Sequence, residues 1–219
     1  MVKIILPIFM FLFALSMQAH AEDLDSVLNK VQKKYDQINS FHAVFIQESE
    51  VKALDKVQTA QGEVWFKKPG KMRWNYNTPN MDQIVSDGKT LWFYDEEEKQ
   101  VIETPLNQVS ETESTTTLLS GLGNLQELFK ASFSTSENLD ANGSYLLDLV
   151  PKNDEEYNKV TISVGKQDMM VNTIYLYDAF GNLTTMKLED VKLDSDVSDS
   201  LFVFKAPEGT EVVKPPSLQ

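Results

Sequence analysis

Between Glu22 and Asn39 the apolar residues Leu24, Val27, Leu28, Val31, Tyr35 and Ile38 recur in steps of three, four and seven. That spacing lays one stripe along a helix of 3.6 residues per turn, so an amphipathic helix with a single buried face is predicted. From Ser40 the period changes. "SFHAVFIQ" (Ser40 to Gln47) is rich in β-branched and aromatic residues, and alternation of apolar and polar positions continues over most of the next sixty residues. A meander of consecutive antiparallel strands is expected there.

Turn chemistry supports the meander. Lys68-Pro69-Gly70-Lys71 suits a type II turn, because proline presets φ at the second position and glycine accepts a positive φ at the third. Ser86-Asp87-Gly88-Lys89 carries the Asp-Gly pair of tight hairpins, between "DQIVS" and "TLWFY", and a further strand is expected over Lys99 to Thr104. Pro105 to Ser114 is polar. Beyond it, "TTTLLSGLGNLQELFKASF" (Thr115 to Phe133) sets Leu118, Leu119, Leu122, Leu125, Leu128 and Phe129 at helical spacing, interrupted by Gly121 and Gly123. Two short helices with a flexible joint are predicted. Strands resume at Tyr145 to Val150, Lys159 to Val164, Val171 to Tyr177, Leu183 to Leu193 and Leu201 to Phe204. The tail "KPPSLQ" is expected to be loose. The pattern is a helix, strands, a helical insert and more strands, which makes one curved antiparallel sheet with helices available to cover a face.

The start of the chain changes the picture. "MVKIILPIFMFLFALSMQAHAED" has one charge at Lys3, an apolar run from Ile4 to about Met17, and Ala19-His20-Ala21 before an acidic residue. This is the layout of a secretory signal peptide cleaved after Ala21, and the run is shorter than the roughly 20 residues of a membrane anchor. Residues 1–21 are thus expected to be removed, leaving 22–219 as a single exported, soluble domain. The chain has no cysteine, so that domain must be stable without disulfides and cannot carry a lipid on a cysteine. The net charge of −13 disfavours nucleic acid and anionic membrane surfaces as partners.

Candidate chemistry is sparse. Only two histidines occur, and His20 lies in the leader, so a histidine-dependent nucleophile or zinc site would hang on His42 alone. "DSDVSDS" (Asp194 to Ser200) is reminiscent of a calcium loop but lacks its glycine and its closing glutamate. The acids in "DEEE" (Asp95 to Glu98) and "NDEE" (Asn153 to Glu156) read as solvated loops, and no glycine-rich phosphate loop is present. No catalytic residues, metal or cofactor are expected. What stands out is the hairpin "GEVWFKKPGKMRWNY" (Gly62 to Tyr76), with two of the three tryptophans. With a two-residue Pro-Gly loop, Trp65 and Trp74 fall opposite one another on one face, beside Met72 and Tyr76. Such a face is core, a stacking platform for sugars or bases, or the wall of an apolar pocket. Trp92, Phe93 and Tyr94 and a set of methionines add to the apolar surplus, and methionines and aromatics together suit ligands of no fixed shape.

With those elements read, the sequence resembles the LolA family of periplasmic carriers of outer-membrane lipoproteins. The likeness rests on "SFHAVFIQ", on "GEVWFKKPGKMRWNY" followed by Pro79, on "IVSDGKTLWFYD" and "EKQV", and on "FVFKAPEGTEVV" (Phe202 to Val213). Thr135 to Tyr177 is similar only in pattern. The resemblance implies a mainly β fold with α, an incomplete antiparallel β-barrel covered by a helical lid. It also implies a non-enzymatic periplasmic chaperone, a monomer without cofactors. The acyl chains of a lipoprotein would be taken from an inner-membrane ABC transporter and passed to an outer-membrane receptor. Each exposed methylene costs about 0.8 kcal/mol, so such cargo cannot cross water unshielded. By this resemblance the acyl cavity would use Phe45, Trp65, Met72, Trp74 and Trp92, and the lid Tyr35, Ile38, Leu118, Leu119 and Leu122. Lys68 stands where the family has a lid-clamping arginine, and a lysine makes a looser clamp than a planar guanidinium. The alternatives are the outer-membrane receptor of the same fold, which needs an acylated cysteine, a periplasmic sensor domain, which normally carries a further domain, and a carbohydrate-binding module or glycosidase using exposed tryptophans.

Overall fold

The structure, a computed structural model, describes residues 22–108, 125–134, 139–152 and 157–214. Helix α1 spans Leu24–Gln37. It starts where the Asp23 side chain accepts a hydrogen bond from the Ser26 amide at 2.9 Å, and it ends as Ile38 turns extended. Asp25 in its first turn and Lys34 in its last complement the helix dipole.

Twelve strands form one curved, unclosed sheet among the described residues. In chain order they are β1 (Ser40–Val51), β2 (Lys56–Lys67), β3 (Lys71–Thr78), β4 (Gln83–Asp87), β5 (Thr90–Asp95), β6 (Gln100–Pro105), β7 (Phe129–Phe133), β8 (Tyr145–Pro151), β9 (Tyr157–Val164), β10 (Val171–Asp178), β11 (Leu183–Leu193) and β12 (Glu211–Val213). Spatially they run β12-β6-β5-β4-β3-β2-β1-β11-β10-β9-β8-β7, and only the short β12–β6 contact is parallel. Two meanders, β1 to β6 and β7 to β11, are thus joined where β1 pairs with β11.

The inner face, under α1, is apolar across most of the strands. Phe41, Ala43 and Phe45 on β1, Val64 and Phe66 on β2, and Leu147, Ile162, Ile174 and Met186 on the second meander are all 7% exposed or less. Val27, Leu28, Val31 and Tyr35 of α1 complete this core. Gly62 lets it close: a Cβ there would lie 2.0 Å from the Asn75 carbonyl oxygen and 2.9 Å from the Phe45 ring. With no side chain at 62, the Phe45 ring packs edge-on against Trp74 and Tyr76 at 5.0 and 4.9 Å.

Three expectations need correction. The first hairpin pairs Lys67 with Lys71, so its loop holds three residues, Lys68, Pro69 and Gly70, and is not the two-residue connection assumed above. That one-residue difference moves Trp65 opposite Arg73 and Trp74 opposite Val64, so the two tryptophans lie on opposite faces. Phe129–Phe133 is a strand, preceded by a single helical turn at Leu125–Leu128. The alternation of Phe129, Ala131 and Phe133 with polar residues outweighed the leucine spacing before it. Leu201 to Phe204 is no strand either. A 3-10 turn at Asp199–Phe202 carries this segment over the outer face, and the last strand comes later, at β12.

Candidate functional site: the inner face beneath the first helix

The predicted cavity residues divide between the faces. Phe45, Met72 and Trp74 lie on the inner face, with 0%, 3% and 1% exposure. Trp65 and Trp92 lie on the outer face. Trp65 stacks on His42 at 4.9 Å, and His42 Nε2 in turn lies 3.0 Å from Glu63 Oε1. Trp92 stacks on Phe204 at 5.8 Å and donates its indole hydrogen to Glu103 at 3.2 Å. One face of each indole is therefore occupied within the molecule, which does not suit an open platform for sugars. The strand register sets Trp65 and Trp92 on the face of Arg73 and Val85, opposite to Trp74, so neither lines the inner face.

Of the predicted lid residues, Tyr35 and Ile38 are at the C-terminal end of α1, 7% and 3% exposed. Leu118, Leu119 and Leu122 lie outside the described residues. Tyr35 turns its hydroxyl oxygen to the Val171 amide at 3.1 Å, and burial pushes its ionisation up. Lys68 sits in the three-residue loop and donates Nζ to the carbonyl oxygens of Tyr35 and Asp36, at 2.8 and 3.0 Å. These carbonyls belong to the last turn of α1, where Tyr35 also accepts from the Ile38 amide at 3.2 Å, and a cation there meets the negative end of the helix dipole. Its neighbour Lys67 turns the other way, to the Val197 carbonyl oxygen at 2.8 Å and Asp199 at 2.7 Å.

The outer face has a cover of its own. Val197, Phe202, Val85, Tyr94 and Val101 form a second small buried group, separate from the inner core. Arg73 pins it, donating to the Leu201 carbonyl oxygen at 3.0 Å and to Asn75 and Gln83 at 2.8 Å each. The acids of "DSDVSDS" serve this strap. Asp194 accepts from the Asn39 amide at 2.8 Å, and Asp199 bridges Lys67 and Lys71.

Two clefts flank α1. One, about 430 Å³, lies beside its N-terminal half and is walled by Leu24, Leu28, Phe129 and Ala131, with Asp25, Asn29 and Gln126 at the rim. The other, about 310 Å³, lies beside its C-terminal half, between Lys34 and Asp168 and over Met170, Val171, Leu188 and Leu193. Farther along the inner face Phe93 and Ile102 stay 37% and 39% exposed. The inner-face residues of the second meander were not among the predicted cavity residues. Their signal was the alternation of Tyr145, Leu147 and Leu149, and of Val160, Ile162 and Val164.

Among the described residues, the architecture is thus a curved, unclosed, almost wholly antiparallel sheet whose apolar inner face is roofed by an amphipathic helix tied at its end by a loop cation. The chain belongs to the family described as "Outer membrane lipoprotein carrier protein LolA", whose model matches residues 36–205. An outer-membrane lipoprotein carrier protein of Azotobacter vinelandii is 31% identical over 204 residues, covering 92% of this chain and 93% of that protein. One from Alkalilimnicola ehrlichii is 30% identical over 182 residues, covering 82% and 80%. Among solved structures, an uncharacterized conserved protein of Thermus thermophilus shares the fold with a TM-score of 0.55 at 13% identity, over 87% of this chain and 98% of that one. Among the described residues, no helix is long and apolar enough to cross a membrane.

Proposed function

We propose that this protein is a periplasmic chaperone that binds the acyl chains of outer-membrane lipoproteins on the inner face beneath α1. It would be exported with residues 1–21 removed and act as a monomer, 22–219 forming one domain. It would accept cargo from an inner-membrane ABC transporter and surrender it to an outer-membrane receptor. The observation that carries this reading is the pair of hydrogen bonds from Lys68 to the Tyr35 and Asp36 carbonyls. They fasten the end of a helix that otherwise rests on an apolar sheet through an apolar stripe, so acyl chains can replace the stripe once the fastening yields. Phe45, Met72 and Trp74 would then contact the cargo, Tyr35 and Ile38 belong to the lid, and Lys68 does the work of the family's arginine. No bond is made or broken in such a cycle. Burial of methylene groups drives loading, each worth about 0.8 kcal/mol.

The test is release. Purified protein is added to spheroplasts holding newly made outer-membrane lipoproteins and the matching transporter. A soluble one-to-one complex with lipoprotein in the supernatant is the expected result. Lipoprotein that stays on the spheroplasts, while a carrier from a related bacterium frees it in parallel, would overturn the reading.

A further inference from the structure

The two ends of α1 are held by different chemistry. At the C-terminal end a cation caps carbonyls, as described. At the N-terminal end the Glu22 carboxylate, one residue before the helix cap, reaches across to β8. Its Oε2 accepts from the Tyr145 hydroxyl at 2.7 Å, and its Oε1 accepts from Ser26 Oγ at 2.8 Å and pairs with Lys30. Tyr145 is 2% exposed, with its ring near Phe133 and the Lys166 ammonium 5.8 Å from the ring centroid. Three donors on one carboxylate hold its pKa down at about 2, so the group is ionised across the neutral range.

We propose that Glu22 and Tyr145 form a second latch on α1, acting as positioning residues that set how readily an acyl chain enters through the cleft walled by Leu24, Leu28, Phe129 and Ala131. The acyl ligand rests on the carrier reading; the latch itself does not. A helix of 14 residues is roughly 20 Å long, so the two fastenings act far apart and release of one lets α1 pivot on the other. Leu24 and Asp25, which follow directly after the latch, are in the wall of the larger cleft, whereas Lys34 and Val171 wall the smaller one near Lys68. Each latch therefore governs its own cleft. The cleft at Glu22 is open and mixed in character. Leu24, Leu28, Phe129 and Ala131 continue the inner core, while the exposed Asp25, Asn29 and Gln126 give it a polar mouth, so a hydrocarbon chain could enter along the apolar side with its headgroup in water.

The experiment follows hydrogen exchange of the Val27 to Val31 amides in the ligand-free protein, together with the uptake rate of a fluorescent dipalmitoyl lipopeptide. Tyr145→Phe removes the hydroxyl and keeps the ring in the core; Glu22→Ala removes the carboxylate. Both variants should speed exchange of those amides on the order of fivefold, with little change at Lys34 to Gln37, and should speed lipopeptide uptake. Unchanged exchange in both variants overturns the latch. Faster exchange with unchanged uptake overturns the cleft as the entry route. Faster exchange in a protein that takes up no lipopeptide, parent included, leaves the latch standing and overturns the carrier reading.

Discussion

The two faces of the sheet carry covers of comparable span but opposite attachment. On the inner face α1 lies on a broad apolar bed and is tied by polar contacts at its two ends and at Tyr35. On the outer face the strap from Asp194 to Phe204 has a small apolar seat but is pinned along its length by Asp194, Lys67, Lys71 and Arg73. Apolar contact is non-directional, so a helix held mainly by it can be exchanged for another apolar body at little net cost. A segment held by directional bonds to its backbone has no such substitute. On the carrier reading proposed above, the contrast assigns movement to α1 and makes the strap part of the frame.

Substitutions in the core test this contrast most strongly. Trp74→Ala, on the inner face, should cost about 3–5 kcal/mol in a urea titration, and Phe202→Ala, the buried anchor of the strap, a similar amount. Only Trp74→Ala should also weaken lipopeptide binding in protein that remains folded; equal losses from both would erase the distinction between the faces. Tyr35→Phe leaves the Val171 amide buried without its partner and should cost about 1–3 kcal/mol, read by the same titration. Lys68→Met removes the ammonium donor from the Tyr35 and Asp36 carbonyls, leaving Tyr35 with the Ile38 amide, for a smaller loss of about 1 kcal/mol, given that one of the two bonds is exposed. Its signature should be faster exchange of amides at the C-terminal end of α1, with the outer strap unaffected and Lys68→Arg restoring protection.

The smallest effect concerns pH. The folded-state pKa of Glu22 lies below its ordinary value of 4.5, at about 2, so the stability it contributes is fully present above 4.5 and is lost as pH falls through 2. The groups around it are Lys30, Asp23 and Asp25 on the helix side, Tyr145 and Lys166 on the sheet side and, once residues 1–21 are removed, the α-ammonium of Glu22 itself. Exchange at Val27 to Val31 should quicken across that window in the parent and stay flatter in Glu22→Ala. A parallel pH response in the two would assign the effect to another acid.

Much of this arrangement was legible in the sequence, for identifiable reasons. The stripe from Leu24 to Ile38 and the alternation in β1 to β6 and β8 to β11 are set by which side must be dry, and dryness is written in residue type. Face assignment in the first hairpin depended instead on one residue of loop length around Pro69, a backbone property that composition does not carry. The outer strap was missed because Val197 and Phe202 are buried by polar pins from distant strands, and no local period announces that. The same holds for Glu22: a carboxylate beside a signal-peptide boundary looks solvated until Tyr145, 123 residues away, comes to meet it.

The join between the two meanders has a consequence for assembly. Phe41 lies opposite Leu193, so the pairing most distant in sequence among the described strands joins the first strand to nearly the last. A hairpin meander can zip from any turn, but this seam must wait for the far end of the chain, and the loop it closes carries a large entropic cost. Folds dominated by such distant pairings form in milliseconds to seconds, not microseconds. Until β11 arrives, β1 offers an open edge and an apolar face on which α1 cannot settle correctly. Closure of the sheet therefore waits for the last quarter of the chain, even though each meander can pair locally before it.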